Sequence, residues 1–356
     1  MRVLLVTNDY PPKPGGIQQY LGNIVANARA EVMVLGPADP RAKPVSHIVR
    51  HRRRFVLPTR PTRNWVIEHV AAFDADVVVY GAPHPLAQMG PAVAAATGRP
   101  YAVITHGAEA FIPFALPGLR SAVLEPIRKA SVVFAVSDYT ARRVAGAAGR
   151  RVVTLGAGVD LEAYSPAARL RRDPVVVGCV GRFVPRKGQV RVIEAASLLR
   201  REGRPVTVLL VGTGRLERRL RALAQRLDVP TRFEIDVAWE RLPHLYRDMT
   251  VFAMPATSRW GGLEVEGLGI VYLEAAASGL PVIAGPSGGA PETIRPGQTG
   301  AIASTTREVA AALRTILDGD LAGMGGAARH WAEERWSWSG VIDRFESELS
   351  AVVGPR

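Results

Sequence analysis

Short apolar runs recur along this chain, each ending in a glycine-, proline- or otherwise polar-rich loop, with helical patterns between several of them. Arg2–Thr7, Glu31–Leu35, Asp76–Tyr80, Tyr101–Thr105, Val132–Val136 and Val152–Leu155 form one series, and Val175–Val180, Val206–Val211 and Phe233–Val237 begin another. Strands that are apolar on both faces and alternate with helices build a doubly wound parallel sheet, because only helices packed on each side can cover them. The stretch from Glu162 to Pro174 is polar and basic and reads as a linker between the two series. A chain of 356 residues exceeds the usual size of one core, so two α/β domains are expected. Their expected bounds are 1–164 and 174–330, joined by a linker at 165–173 and followed by a C-terminal helical segment at 331–356.

The chemistry concentrates between Met254 and Thr293. Glu266 and Glu274 are separated by seven residues, and Gly267-Leu268-Gly269 follows the first of them. From Leu268 to Ser278 nearly every residue is apolar or small, which predicts a buried helix stopped by Gly279 and Pro281. A buried Glu274 then needs a partner, either a structural arginine or a ligand. If the whole segment is helical, the two carboxylates lie ~12 Å apart along its axis. The helix start offers unpaired backbone N–H groups, and the glycines admit a phosphate. A nucleoside diphosphate sugar fits this order: Glu266 on sugar hydroxyls, the amides of Gly267, Leu268, Gly269 and Ile270 on phosphate, and Glu274 on the ribose.

Two further loops follow strands. Asn8-Asp9-Tyr10-Pro11-Pro12-Lys13-Pro14-Gly15-Gly16 leads into a helix over Ile17–Ala28, with Gly15 and Gly16 able to bring amides to an anion. Gly181-Arg182-Phe183-Val184-Pro185-Arg186-Lys187-Gly188 leads into a helix over Gln189–Leu199, and its cations suit a diphosphate. Neither loop carries a dinucleotide or Walker fingerprint. Gly212-Thr213-Gly214 resembles one more closely, but Glu217 stands where the third glycine belongs, an anion where a pyrophosphate would sit. Asp74-Ala75-Asp76 precedes its strand, whereas ligands gather at carboxyl ends, so it reads as a connection and not as a metal site. His106 directly follows the strand Tyr101–Thr105 and so stands at a carboxyl end. Cys179, the single cysteine, lies in VVVGCV and reads as core.

The net charge of +13 and sequence pI near 10.6 point to anionic partners. No zinc spacing, basic zipper or aromatic nucleic-acid motif is present, so nucleic acid is the weakest candidate. No apolar run approaches the ~18 residues of a membrane span, and MRVLLV is too short for a signal peptide, so a cytoplasmic location is expected. Arg41 to Arg63 is the most basic segment, interrupted by Phe55-Val56-Leu57, a composition that suits either an anionic membrane surface or a solvated loop.

Taken together, E-x(7)-E followed by AAASGLPVIAGPSGGAPETI resembles the signature of glycosyltransferase family 4, retaining enzymes of the GT-B fold. EVEGLGIVYLEA, VTNDYPPKPGGIQQYL and GRFVPRKGQ are most similar to the actinobacterial phosphatidylinositol monomannoside mannosyltransferases. The resemblance implies two Rossmann-like domains with a cleft between them and a C-terminal helix crossing back to the first. It implies GDP-mannose as donor, an anionic lipid acceptor at the inner face of the cell membrane, and no metal or other cofactor. It makes Arg182 and Lys187 the phosphate ligands and Arg186 a bystander. Gly16 would face donor phosphate, Tyr10 and Gln18 the acceptor, and Val237 the nucleotide base, while His106 and Glu266 would orient the transferred sugar. A soluble family 4 enzyme with another donor or a small acceptor remains a second reading, since the shared motif names neither, and a nucleotide-sugar-binding protein without catalysis a third. Oligomeric state is left open by all three.

Overall fold

The computed structural model describes residues 1–107, 111, 117–167 and 173–354. They form two compact units, Met1–Ala157 with Trp338–Arg356, and Gly158–Ser337. Most of the expected linker, residues 168–172, lies outside the described residues.

The first unit is a parallel sheet in the order β3-β2-β1-β4-β5-β6-β7. Its strands are β1 (Arg2–Val6), β2 (Glu31–Gly36), β3 (Ile48–Arg50), β4 (Val77–Tyr80), β5 (Tyr101–Thr105), β6 (Val132–Ala135) and β7 (Val153–Thr154). The central strands are buried on both faces, which is why their sequences are apolar without alternation. The chain leaves β1 towards β2 and β3, then returns to the other side of β1 at β4. That reversal is the topological switch point, where loops leaving neighbouring strands diverge and open a crevice.

The second unit repeats the plan in the order β10-β9-β8-β11-β12-β13. Here β8 (Val175–Val180), β9 (Val206–Val211) and β10 (Thr231–Glu234) lie on one side, and β11 (Val251–Met254), β12 (Val282–Ala284) and β13 (Gly300–Ile302) on the other. Its switch point falls between β8 and β11. Both sheets are parallel at every pairing, so the doubly wound α/β expectation holds in each unit.

Several boundaries differ from the sequence expectation. β3 lies inside the basic segment, three residues whose half-buried pattern leaves no apolar run. The run Phe233–Val237 is strand only to Glu234, because Asp236 turns the chain with φ 49°. The helix expected over Leu268–Ser278 is Ile270–Ala277, since Gly269 caps it at φ 91°. The two glutamates therefore do not share one helix, and the ~12 Å axial separation does not apply. The C-terminal pattern resolves into Leu321–Arg335 and Trp338–Val353, broken at buried Trp336. The second of these helices packs with Gly16–Asn27 in the first unit, with Trp338 against Tyr20 at 5.8 Å between ring centroids. The tryptophans thus serve packing. Cys179 is fully buried, and burial pushes its thiol up to about 12.

In the second unit Arg329 of helix Leu321–Arg335 donates through Nη1 to three carbonyl oxygens, Leu161 at 3.1 Å, Tyr164 at 2.7 Å and Ala277 at 2.8 Å. One guanidinium so fastens the segment bearing Tyr164 to the carboxyl end of helix Ile270–Ala277. Arg329→Ala leaves these carbonyls to water or to nothing, at a cost of about 1–3 kcal/mol. The expected outcome in a thermal melt is a Tm lowered by several degrees, with the far-ultraviolet spectrum of the folded state retained.

Candidate functional site

The second unit gathers its charged groups at the carboxyl edge of its sheet, on the loops that follow β8 and β11. After β8 the chain runs through Gly181 and Arg182 into a short turn, Pro185–Lys187, and then helix Gln189–Arg201. The loop is held from beneath: Phe183 N donates to Thr213 O at 2.7 Å, and Gln189 Nε2 to Arg182 O at 3.0 Å. Gly188 takes φ 80°, and a Cβ there would lie 2.6 Å from Pro255 O, so only glycine lets the two loops meet.

Lys187, Arg186 and Glu266 converge. The carboxylate of Glu266 accepts from Lys187 Nζ at 2.8 Å and from Arg186 Nη1, and all three side chains are nearly buried. Arg186 Nε also lies 3.7 Å from Glu264, which in turn pairs with Arg259 at 3.2 Å. Arg186, set aside as a phosphate ligand on the sequence, bridges the carboxylates of Glu264 and Glu266. Among Arg186, Lys187, Arg259, Glu264 and Glu266 the cations exceed the anions by one. Arg182, beside this cluster in sequence, makes no ion pair among the described residues.

Burial alone would raise the pKa of Glu266, but Lys187 and then Arg186, by charge and by hydrogen bond, bring it down to about 2. Lys187 moves the other way from a simple pair. Burial lowers it, the attraction of Glu266 recovers only part of the loss, and repulsion by the neighbouring Arg186 charge lowers it further. The backbone of Glu266 is equally fixed: its N–H donates to Ser287 Oγ at 3.0 Å and its carbonyl accepts from Gly289 N at 3.0 Å. Gly288, at φ 58°, presses against that carbonyl so closely that a Cβ would collide with it.

Directly after Glu266, the amides of Gly267, Leu268 and Gly269 donate to no backbone acceptor among the described residues, and Ile270 begins the helix. Amides without a backbone acceptor at a helix start, beside two buried cations, are an arrangement that suits an anion. Glu274 is 2% exposed within that helix and accepts from Tyr246 OH at 2.7 Å. Tyr246 is thus one of its partners among the described residues. Tyr164 hydrogen-bonds the same carboxylate, and burial with the Glu274 charge raises both phenols. Val237 lies half-buried in the turn beyond β10, outside the strand.

The first unit holds the remaining sequence-predicted residues. His106 follows β5, is 7% exposed, and places Nε2 2.8 Å from Gly81 O. A carbonyl can only accept, so this nitrogen carries a proton. Tyr20 packs edge-on against the imidazole at 5.4 Å between centroids. Gly16 opens helix Gly16–Asn27, and a Cβ there would meet nothing. Gln18 is 7% exposed and donates to Asp9 Oδ1 at 2.6 Å. Tyr10 is 6% exposed, with burial raising its phenol. At the opposite edge Asp74 pairs with Arg2 and Arg99, both at 3.0 Å, and Asp76 accepts from Arg2 N at 2.7 Å. That pair of aspartates closes a helix-to-strand connection, as its position ahead of β4 implied.

A family model described as Glycosyl transferases group 1 matches residues 161–333, and one described as Glycosyltransferase Family 4 matches residues 14–163. Over 366 residues, 94% of this chain and 95% of the other, the chain is 38% identical to the GDP-mannose-dependent alpha-(1-6)-phosphatidylinositol monomannoside mannosyltransferase of Mycolicibacterium smegmatis. This chain belongs to glycosyltransferase family 4. The family 4 chain is also 34% identical over 375 residues, 98% of each protein, to the GDP-mannose-dependent monoacylated alpha-(1-6)-phosphatidylinositol monomannoside mannosyltransferase of Corynebacterium glutamicum. Among solved structures, Anabaena HepE in complex with UDP matches with TM-score 0.81 at 22% identity, covering 99% of this chain and 100% of that one. Sucrose-phosphate synthase from Thermosynechococcus elongatus matches with TM-score 0.80 at 19% identity, covering 97% of each. At such identities the likeness is one of fold, the GT-B arrangement of two parallel-sheet domains.

Sequence reasoning on this family 4 glycosyltransferase named Arg186 without its carboxylate partners and missed Glu264, Ser287 and Tyr246. Glu264 stands two residues from Glu266, and Arg186 sits within the basic loop, so both were within reach of a charge-pairing argument. Tyr246 and Ser287 carry no such signal, because only the sheet order brings them to the glutamates.

The depressed pKa of Glu266 makes stability depend on pH. Its contribution is complete above the ordinary value of 4.5 and is lost as pH falls through about 2. A difference of this size corresponds to about 3 kcal/mol. Denaturant titrations of wild type and Glu266→Gln should differ most near neutrality, and the gap should close as pH is lowered from 4.5 towards 2.

Proposed function

We propose that this family 4 enzyme transfers a mannosyl group from GDP-mannose to a phosphatidylinositol mannoside-type lipid at the cytoplasmic face of the membrane, with retention of configuration and without a metal cofactor. The observation that carries the donor half is the buried Lys187–Arg186–Glu266 cluster beside the unpaired amides of Gly267–Gly269. Lys187 has three N–H donors, so it can keep Glu266 and still hold a diphosphate oxygen. Arg182 adds a fork for the same group. As the bond from the sugar C1 to the diphosphate breaks, these donors stabilise the charge that grows on the leaving oxygen. The acceptor hydroxyl attacks C1 from the same face, and its proton passes to the departing phosphate. His106 and Glu266 orient the sugar in this scheme, Glu274 meets the ribose, and Val237 the base.

The names of the mycobacterial and corynebacterial relatives support mannose, the guanine nucleotide and the lipid acceptor. No described helix is long and apolar enough to cross a membrane. Contact with lipid is supported instead by the loop after β3. Asn8 pins this loop by bonding Val56 N at 2.8 Å and Val56 O at 2.9 Å, which buries Val56 and leaves Phe55 and Leu57 exposed at 53% and 46%. Arg52, Arg53 and Arg54 precede them, all exposed. An apolar pair flanked by cations suits an anionic lipid surface.

Calorimetry with GDP-mannose, GDP, UDP-glucose and ADP-glucose tests the donor, and a transfer assay with vesicle-borne phosphatidylinositol monomannoside tests the reaction. GDP-mannose should bind in preference to the other sugar nucleotides and bind more weakly to Glu274→Ala. Lys187→Ala and Arg182→Ala should each lower kcat by about 10²–10³. Tighter binding of UDP-glucose would move the enzyme to another donor class, and binding without transfer would make it a nucleotide-sugar-binding protein.

A further inference from the structure

Glu266, the carboxylate that the proposed reaction sets on the sugar, is held by one oxygen. Arg186 Nη1 and Lys187 Nζ both meet its Oε2, whereas Oε1 accepts from nothing among the described residues. Oε1 is not among the sealed atoms that lack a partner, so it reaches the surface of the unit and stands open to a donor.

Arg186 is the group that could undo this arrangement. A guanidinium beside a diphosphate site is drawn to phosphate, which it grips by two parallel hydrogen bonds. What holds it back is Glu264. Arg186 Nε lies 3.7 Å from Glu264 Oε1 while Nη1 stays on Glu266, and fixing two nitrogens of a planar group fixes its rotation.

Glu264 is in turn set by an unusual reversal of the chain. Arg259 and Glu264 face each other as an antiparallel bridge, Arg259 N donating to Glu264 O at 2.9 Å and Glu264 N to Arg259 O at 3.2 Å. Arg259 Nη1 also lies 3.2 Å from Glu264 Oε2. Between them run three successive left-handed residues, Trp260 at φ 51°, Gly261 at 61° and Gly262 at 87°. Glycine adopts this region freely, but a tryptophan rarely does, and such strain is kept where it places something. Here it places Glu264 in an unbroken line of alternating charge, Arg259, Glu264, Arg186, Glu266 and Lys187. The line runs inward, from an Arg259 side chain 32% exposed to a Lys187 side chain 9% exposed. Pairing counts for more at its buried end, where water screens less.

We infer that Glu264 is a positioning residue for sugar transfer: by keeping Arg186 on Glu266 and off the diphosphate, it leaves Glu266 Oε1 aimed at a sugar hydroxyl. The inference rests on the proposed role of Glu266 and adds the group that sets it.

Calorimetry on the full chain with GDP and with GDP-mannose tests this without turnover. In Glu264→Gln, GDP should bind as it does to wild type or more tightly, because a released Arg186 adds a donor to the diphosphate; this also certifies folding. The ratio of GDP-mannose affinity to GDP affinity should fall about tenfold or more, as loss of a hydrogen bond to a charged group does. With phosphatidylinositol monomannoside in vesicles as acceptor, kcat should fall by about 10², the effect of a misplaced sugar. Glu264→Asp keeps the charge and should regain part of both losses, and Arg259→Gln should move both readouts the same way by a smaller factor. Because Glu264 acts through Arg186, the double variant Arg186→Gln with Glu264→Gln should be no worse than Arg186→Gln alone. The inference is overturned, with the proposed reaction intact, if Glu264→Gln keeps both ratio and kcat, if GDP binding weakens along with them, or if the two substitutions multiply. If wild type binds GDP-mannose and transfers nothing, the proposed reaction falls and the affinity ratio alone decides Glu264. If wild type prefers another sugar nucleotide, the mannosyl reading falls, and the same ratio taken with that nucleotide decides Glu264. If it binds no sugar nucleotide, both fall.

Discussion

A carboxylate taken out of water stays charged only if something nearby keeps it so, and Glu266 is kept by Lys187 and Arg186 at once. Much of the second unit's loop structure can be understood as meeting that requirement. The loop after β8 must bring two consecutive basic side chains inward, so it turns tightly at Pro185–Lys187 and is sealed by glycine against Pro255. The loop after β11 must present Glu266 to them, so its backbone is held on both sides by Ser287 and Gly289. Two cations on one anion leave the cluster electropositive, which is the condition a phosphate-bearing ligand needs.

The same constraint separates the two ends of the motif. Glu266 is held ionised by Lys187 and Arg186, and Glu274 meets the hydroxyls of Tyr246 and Tyr164. Two identical side chains eight positions apart are thus held by different parts of the fold, one by the basic turn Pro185–Lys187 and the other by residues that include two phenols.

The layers of the fold were largely legible, because parallel strands buried on both faces leave unbroken apolar runs. Val175–Val180 and Val206–Val211 appear at their expected ends for that reason. What escaped notice was short or locally contradictory. β3 and β13 have three residues each, and the strand before the motif, VFAM, merges with the motif itself. The site was legible in outline and not in its pairings. Arg182, Lys187, Glu266 and the glycine amides are named by loop position, but a loop sequence does not say which of two adjacent cations faces inward. Arg186 and Lys187 both do, since a turn of three residues carries their side chains to the same carboxylate.

Glycines crowd the loops around Glu266. Gly188 abuts Pro255, Gly285 abuts Ala256, and Gly288 abuts the Glu266 carbonyl, each without space for a methyl group. Gly261, on the turn closed by the Arg259–Glu264 pairing, has no atom within 4 Å of where a Cβ would stand. A side chain at any of the three packed glycines would have to push apart the loops that hold this carboxylate, and even at open Gly261 the φ of 61° strains any other residue, so this rim has little room to vary on either count.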